Sequence, residues 1–230
     1  MIPYRTVGKK SDFRAYGTFA LIVLTFLFFA WEIFITSSAG KPIEELLPSY
    51  AFQTCEVGMQ PATHIAIDGI RSLFMHTTFV ALATNMLFLW IFAPRVEEFF
   101  GHRGFIVFYI VGGFGGFLLT TMLSGGSCNI VVGANAGMSA VLGAFFFFHP
   151  MKLVDAFIPI LNRTMALPAI VFMLAYLAIM VFATSGGPLS GQTAPYLDEV
   201  GGFLTGALIA FVATLFKSVP PTDPFEYLDR

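Results

Sequence analysis

Between Tyr16 and Thr36 the chain runs through an almost unbroken apolar stretch in which Glu32 is the only charged side chain. A hydrocarbon core about 30 Å thick takes roughly 20 apolar residues per helix, so this stretch has the length and character of a membrane span. Comparable stretches recur at Ser72 to Ala93, Phe105 to Leu123 and Met165 to Ala183. Two shorter ones, Gly133 to Phe148 and Val200 to Phe216, suit helices packed centrally among others. Six transmembrane helices are expected. With 57% hydrophobic and 11% charged residues, the chain has too little polar surface to cover a water-soluble globule. Backbone groups in lipid must bond within the protein, and no alternation of the kind that marks a membrane barrel is present. The expected fold is therefore all-α, a polytopic helical bundle.

An even number of spans puts both termini on one side. Arg5, Lys9, Lys10, Arg14, Arg95, Arg103, Lys152, Arg163, Lys217 and Arg230 fall on that side, and only Lys41 and Arg71 fall opposite. The positive-inside bias makes the termini cytoplasmic, and the expected setting is a bacterial inner membrane. Residues 1–15 read as a cytoplasmic N-terminal tail, 16–216 as the membrane domain and 217–230 as a cytoplasmic C-terminal tail. The first span is long, contains Glu32 and lacks a small-residue cleavage site, which reads as a retained helix rather than a signal peptide.

The outer side carries a long loop at 37–71 and shorter ones near 124–132 and 184–197. Cys55 lies in the first and Cys128 in the second. A disulfide between them and two free thiols are both open readings. No nucleotide-binding loop, zinc-type cysteine pair or low-complexity linker occurs, so neither metal nor cofactor is expected, and nucleic acid is not an expected partner. The 28 Phe residues, including the run Phe145 to Phe148, read as lipid-facing and interhelical packing.

One phrase inside this apolar chain carries chemical information. From Gly133 to Gly143 it reads Gly-Ala-Asn-Ala-Gly-Met-Ser-Ala-Val-Leu-Gly. Upstream are Leu47 to Phe52, Arg71, Phe74-Met75-His76, Asn85-Met-Leu-Phe-Leu-Trp90, and Pro94-Arg95-Val96-Glu97 with Gly101. Downstream are Phe148-His149-Pro150, Phe157-Ile158-Pro159, Leu167-Pro168 and Gly201-Gly202-Phe203-Leu204-Thr205-Gly206. In this order and spacing the segments resemble the rhomboid family of intramembrane serine proteases. The resemblance covers nearly the whole chain and implies a six-helix rhomboid-like bundle, with Pro94 to Gly101 in the turn after the second helix.

The resemblance also locates the positions that carry chemistry in the family, and here they have changed. A serine at the outer end of the fourth helix is activated there by a histidine preceding a Gly-Gly on the sixth. This chain has Asn135 and Glu199 at those positions. The small residue after the nucleophile is Ala136, and the oxyanion donors on the second helix read Ala81 and Asn85. His76 is retained, with capping the first loop and donating to an oxyanion as its two open roles. Ser139 lies one turn deeper and has no histidine on the sixth helix to serve it. Asp198 and Glu199 are adjacent on a helix and point about 100° apart, which excludes a paired carboxyl dyad. Asp198 fits the N-terminal turn of a helix. For Glu199 two readings stand: a hydrogen bond to Asn135 replacing the catalytic dyad, or a side chain snorkelling into an outer cavity.

Without hydrolysis, what remains is a fold that engages transmembrane helices. Gly133, Gly137, Gly202 and Gly206 are candidate sites of close helix packing. Phe88, Trp90, Phe172, Tyr176 and Phe182, on the second and fifth helices, are candidate contacts to a partner helix. Inactive rhomboid relatives imply a non-catalytic protein that binds other integral membrane proteins within the lipid bilayer, as an accessory subunit of a larger complex or a client-binding adaptor. Short tails without a soluble domain favour the subunit. The alternative is a divergent rhomboid-type intramembrane peptidase with a non-standard nucleophile.

Overall fold

The computed structural model describes residues 2–6, 13–158, 162–171, 173–175, 178 and 196–219. Within them the protein is mostly helical. Helix α1 spans Tyr16–Ala39, a short α2 spans Ile43–Leu46 and α3 spans Ala62–Ser72. Then follow α4 (Phe79–Leu123), α5 (Asn135–Phe148) and α6 (Leu197–Thr214). Three of these, α1, α4 and α6, are long and apolar enough to cross a membrane, and α5 is shorter and apolar.

Helix α4 holds 45 residues, which if straight would reach about 68 Å, twice a bilayer core. It is broken at Gly101, whose φ of 74° and ψ of 164° only glycine adopts without strain. The break folds the chain back on itself. Tyr109 in the second arm donates its hydroxyl to the carbonyl of Leu73, which precedes the first arm, at 3.3 Å. Thr78 starts the helix by accepting the Ala81 amide on its side chain at 3.2 Å. The second helix therefore begins later than the expected Ser72 and runs through Pro94. Residues 94–100 are helical rather than a turn.

The buried core is built around Phe92, Phe105, Phe117, Phe145 and Tyr109. Edge-to-face and stacked rings join the elements: Phe92 of α4 meets Phe145 of α5 at 5.0 Å, and Phe52, in the connection between α2 and α3, meets Phe117 of α4 at 4.9 Å. Other phenylalanines, such as Phe19 and Phe34, point outward, as a lipid-facing surface requires. Small residues bring α4, α5 and α6 into backbone contact. A Cβ added at Gly202 would lie 2.1 Å from the Ala136 carbonyl oxygen, one at Gly206 2.0 Å from that of Ala140, and one at Gly137 2.6 Å from the Tyr109 ring. Gly133 does not belong to this set. It precedes α5 with φ 114°, and its role is to turn the chain into that helix.

An all-helical reading does not include the strands, one of which takes up the start of the apolar run that begins at Met165. Strands β1 (Ile2–Thr6), β4 (Leu153–Ile158) and β5 (Arg163–Pro168) form an antiparallel sheet in the order β1-β4-β5. The N-terminal tail is thus tied to the loop after α5. The described helical residues after β5 begin at 169, not at Met165. Pro168 disfavours helix at the residue before it, and water-facing segments can satisfy an open strand edge as lipid-facing ones cannot.

On the opposite side a short pair, β2 (Phe52–Gln53) with β3 (Ile130–Val131), joins the two outer loops. Beside it Cys55 and Cys128 form a disulfide, with Cα atoms 4.7 Å apart. Thr54 donates its amide to the Asn129 carbonyl at 3.0 Å, and Thr54 Oγ1 accepts the Asn129 amide at 2.9 Å. The outer loop that reads as one long segment in the sequence also contains α2, α3 and two 3-10 turns.

Candidate functional site

Four elements bring polar side chains together near the starts of α4 and α5. Helix α1 contributes Glu32, 3% exposed despite its apolar surroundings. Its two carboxylate oxygens accept the His76 amide at 3.0 and 3.2 Å. His76 sits in the connection between α3 and α4, and its Nδ1 lies 3.1 Å from the Phe74 carbonyl. A carbonyl can only accept, so Nδ1 carries the proton, and Nε2 of the neutral ring is left as an acceptor. Asn85, two turns into α4, fills that role with Nδ2 at 3.1 Å.

The same Asn85 amide nitrogen donates to Asn135 Oδ1 at 2.6 Å. Asn135 is the first residue of α5, placed there by the Gly133 turn, whose amide donates to the Ser72 carbonyl at 2.9 Å. An amide nitrogen has two hydrogens, and both of Asn85's are committed, one to His76 and one to Asn135. The result is a buried chain from α1 to α5 in which every donor shown has an acceptor.

The expected bond between Asn135 and Glu199 is not formed among the described residues. The Asn135 carbonyl turns toward α4, where the Asn85 amide meets it. Asp198 and Glu199 open α6 and are 4% and 7% exposed, so Glu199 is packed rather than reaching out into an open cavity. Ala136 is fully buried, and its Cβ would lie 2.8 Å from one added at Gly116. Ala81 forms part of the α4 cap. Ser139 is fully buried. On the flank, Trp90 is 63% exposed and Phe88 is half-buried against the core. Phe172, Tyr176 and Phe182 lie outside the described residues.

Glu32 was not singled out by sequence as a site residue, though the signal existed: a carboxyl inside an apolar span is costly unless partnered. Glu97 is the second such residue. It is completely buried at the end of the first arm of α4 and accepts the amides of Gly17 and Thr18 and the Thr18 hydroxyl, each at 2.7 Å. Its Oε1 also lies 2.5 Å from His102 Nδ1. These bonds close the open N-terminus of α1.

An Asn side chain has no ionisable hydroxyl, and its nitrogen lone pair is delocalised into the carbonyl. Burial lowers the pKa of His76 to about 4, with the Phe74 carbonyl acting weakly in the other direction. His149, at the end of α5, is lowered to about 4, first by burial and then by Arg95 and Lys152. Both rings are neutral at pH 7 in the folded protein. The unfolded chain takes up each proton near 6.5, so their stabilisation is complete above that pH and is lost as pH falls toward 4. Each should account for roughly 3 kcal/mol over that window. Thermal melts between pH 4 and 8 should show a shallower acid limb for His149→Gln than for the parent. Superimposable limbs would contradict the assignment.

Asn85 and Asn135 should also be energetically coupled. Asn135→Leu leaves a buried Asn85 hydrogen without an acceptor and is expected to cost roughly 1 to 3 kcal/mol. Asn85→Leu with Asn135→Leu should cost less than the sum of the single changes. Additivity in a double-mutant cycle would mean the 2.6 Å hydrogen bond carries no energy.

A helical membrane protein with a polar cluster linking three of its helices is the class this geometry defines. The Rhomboid domain family matches residues 66–216, and the chain belongs to the rhomboid family. It is an integral membrane protein. RHOMBOID-like protein 1 of Arabidopsis thaliana is 28% identical over 219 residues, covering 84% of this chain and 52% of the relative. RHOMBOID-like protein 4 of the same plant is 30% identical over 139 residues, covering 60% and 32%. Rhomboid-like protease 3 of Toxoplasma gondii is 26% identical over 157 residues, covering 66% and 53%. The chain thus spans about half the length, or less, of these relatives.

Proposed function

We propose that this chain is a rhomboid-family membrane protein that engages transmembrane helices without cleaving them, as an accessory subunit of a larger membrane complex or as a client-binding adaptor, with the subunit favoured. The observation that carries the reading is the committed state of Asn85. In a protease of this family the corresponding amide would be available to a developing oxyanion, whereas here His76 and Asn135 take both hydrogens. Asn135 supplies an acceptor where a nucleophile would stand. The protease named among the relatives is similar in sequence, and the reading for this chain rests on its own residues.

The proposal includes six crossings: α1, the two arms of α4, α5, a helix following β5, and α6. It places both termini in the cytoplasm of a bacterial cell, at the inner membrane. Two observations support that orientation: basic residues gather on the side of the termini, and the Cys55–Cys128 disulfide lies on the other, where an oxidising compartment would maintain it.

The test has two arms. Purified protein in nanodiscs is expected neither to cut a transmembrane peptide substrate nor to be labelled by a serine-directed phosphonate. Labelling abolished by Ser139→Ala would overturn the non-catalytic reading. In native membranes, cysteines placed at Trp90 and along its face of α4 should crosslink to another membrane protein. Crosslinks to lipid alone would count against the subunit.

A further inference from the structure

On the outer side, away from the polar cluster, Glu56, His64 and Asp68 converge. Glu56 ends the 3-10 turn Thr54–Glu56, one residue after the disulfide-bonded Cys55. His64 and Asp68 are four residues apart on α3 and so share a face. One ligand atom from each residue lies within 4.8 Å of the others. His64 Nδ1 is 3.0 Å from Asp68 Oδ2 and 3.9 Å from Glu56 Oε2.

A surface ion pair would need only two of these groups. What distinguishes the trio is how the remaining oxygens are held. Gln53 Nε2 donates to Glu56 Oε1 at 3.3 Å, and Arg71 Nη1 donates to Asp68 Oδ1 at 3.0 Å. Each carboxylate therefore has one oxygen anchored by an outer donor and the other turned toward the same imidazole nitrogen. That is the outer-shell arrangement that orients carboxylate ligands on a metal. Asp68 is itself 6% exposed, while the His64 side chain is 50% exposed and able to adjust.

Metal–ligand bonds of roughly 2.0 to 2.2 Å put the ligand atoms of a tetrahedral site about 3.3 to 3.6 Å apart, between the two distances measured from His64. One imidazole and two carboxylates suit a borderline divalent ion. Ca²⁺ and Mg²⁺ prefer six or more oxygens. We propose that Glu56, His64 and Asp68 bind a divalent transition metal ion of the Zn²⁺ type, with water completing its coordination. Such an ion braces α3 against the disulfide-held turn and so cross-links the outer loop at a second point. The site is independent of whether the protein cleaves substrates.

The experiment uses the full chain in detergent, disulfide intact, tag removed and stripped with EDTA, then titrated calorimetrically with ZnCl₂ at pH 7.5. One ion per chain is expected. Separate His64→Ala and Glu56→Gln variants should each weaken binding by about 10- to 100-fold. At one fixed Zn²⁺ concentration the melting temperature of the parent should rise, and that of His64→Ala should rise less. Both altered residues are at least partly exposed, and metal-free melts matching the parent will establish that the variants fold. The proposal is overturned by an absence of saturable Zn²⁺ binding, by affinity unchanged in both variants, or by full displacement with equimolar Ca²⁺.

Discussion

Gly206→Ala is expected to cost this protein most of its stability. In an isolated helix the same change would help, since alanine is favoured over glycine by roughly 1 kcal/mol. The packing reverses the sign. A Cβ at Gly206 would sit 2.0 Å from the Ala140 carbonyl oxygen and 2.6 Å from the Ala140 carbonyl carbon and Cα. Backbone atoms of a packed helix cannot swing aside as a flexible side chain can, so α5 and α6 must separate. The reciprocal approach at Gly143, where an added Cβ would lie 2.1 Å from the Phe203 carbonyl oxygen, and that of Gly202 to Ala136 would open with it. Overpacking a core typically costs about 1 to 3 kcal/mol. Because these neighbouring approaches open together, the upper end of that range or beyond is expected, and Gly202→Ala should behave alike. Gly104→Ala is the control, because its Cβ would meet only Phe100 Cβ at 3.5 Å. Melting in detergent should rank Gly104→Ala near the parent and Gly206→Ala far below it. A Gly206→Ala protein that melts with the parent would refute the close apposition.

The second large effect is expected at Glu97. Helix α1 starts after Ala15 with no side-chain cap of its own, so its first amides depend on an acceptor brought from elsewhere. Glu97 is that acceptor, and its charge is also favoured at the positive end of the helix dipole. Glu97→Ala strands the Gly17 and Thr18 amides in a buried setting. At roughly 1 to 3 kcal/mol per unsatisfied group, a loss of about 3 kcal/mol or more is expected. Glu97→Gln keeps the shape but turns an amide NH₂ toward N–H donors, and it should lie between the two. Denaturant unfolding, with hydrogen exchange at the first turn of α1, would check both. A loss below about 1 kcal/mol for Glu97→Ala would mean that water or another group replaces the cap.

How much of this was legible in advance varied with the range of the interaction. The apolar run from Tyr16 is a helix because length and hydropathy are local properties, and α1 extends over Tyr16–Ala39. The small residues before and within the last helix announced close packing, and Gly137, Gly202 and Gly206 provide it. Gly133 was misassigned, since a glycine needed for a positive φ looks the same in sequence as one needed for its missing side chain. For Asn135 the sequence suggests Glu199 as the partner, whereas the structure gives it Asn85. Choosing between Asn85 and Glu199 depends on which way a side chain turns at the head of α5, and no spacing rule carries that. The sheet of β1, β4 and β5 is not legible in the sequence because its strands are short, β1 lies about 150 residues from its partner β4, and β5 runs into an apolar stretch that reads as helix.

By itself, then, the sequence determined that the chain lies in a membrane and that apolar runs such as the one from Tyr16 are helices, and it showed which residues stand where the rhomboid resemblance assigns chemistry: Asn135, Ala136, Glu199, Ala81 and Asn85. Those conclusions follow from hydropathy and residue identity, which are properties of single segments. Only the tertiary structure decided that Glu32, His76, Asn85 and Asn135 form one hydrogen-bonded chain, that Glu97 caps a helix about 80 residues before it, and that Cys55 meets Cys128. Each joins distant segments, and the hydrogen bonds form because burial forces a polar group to find an acceptor that its own neighbours in sequence do not supply.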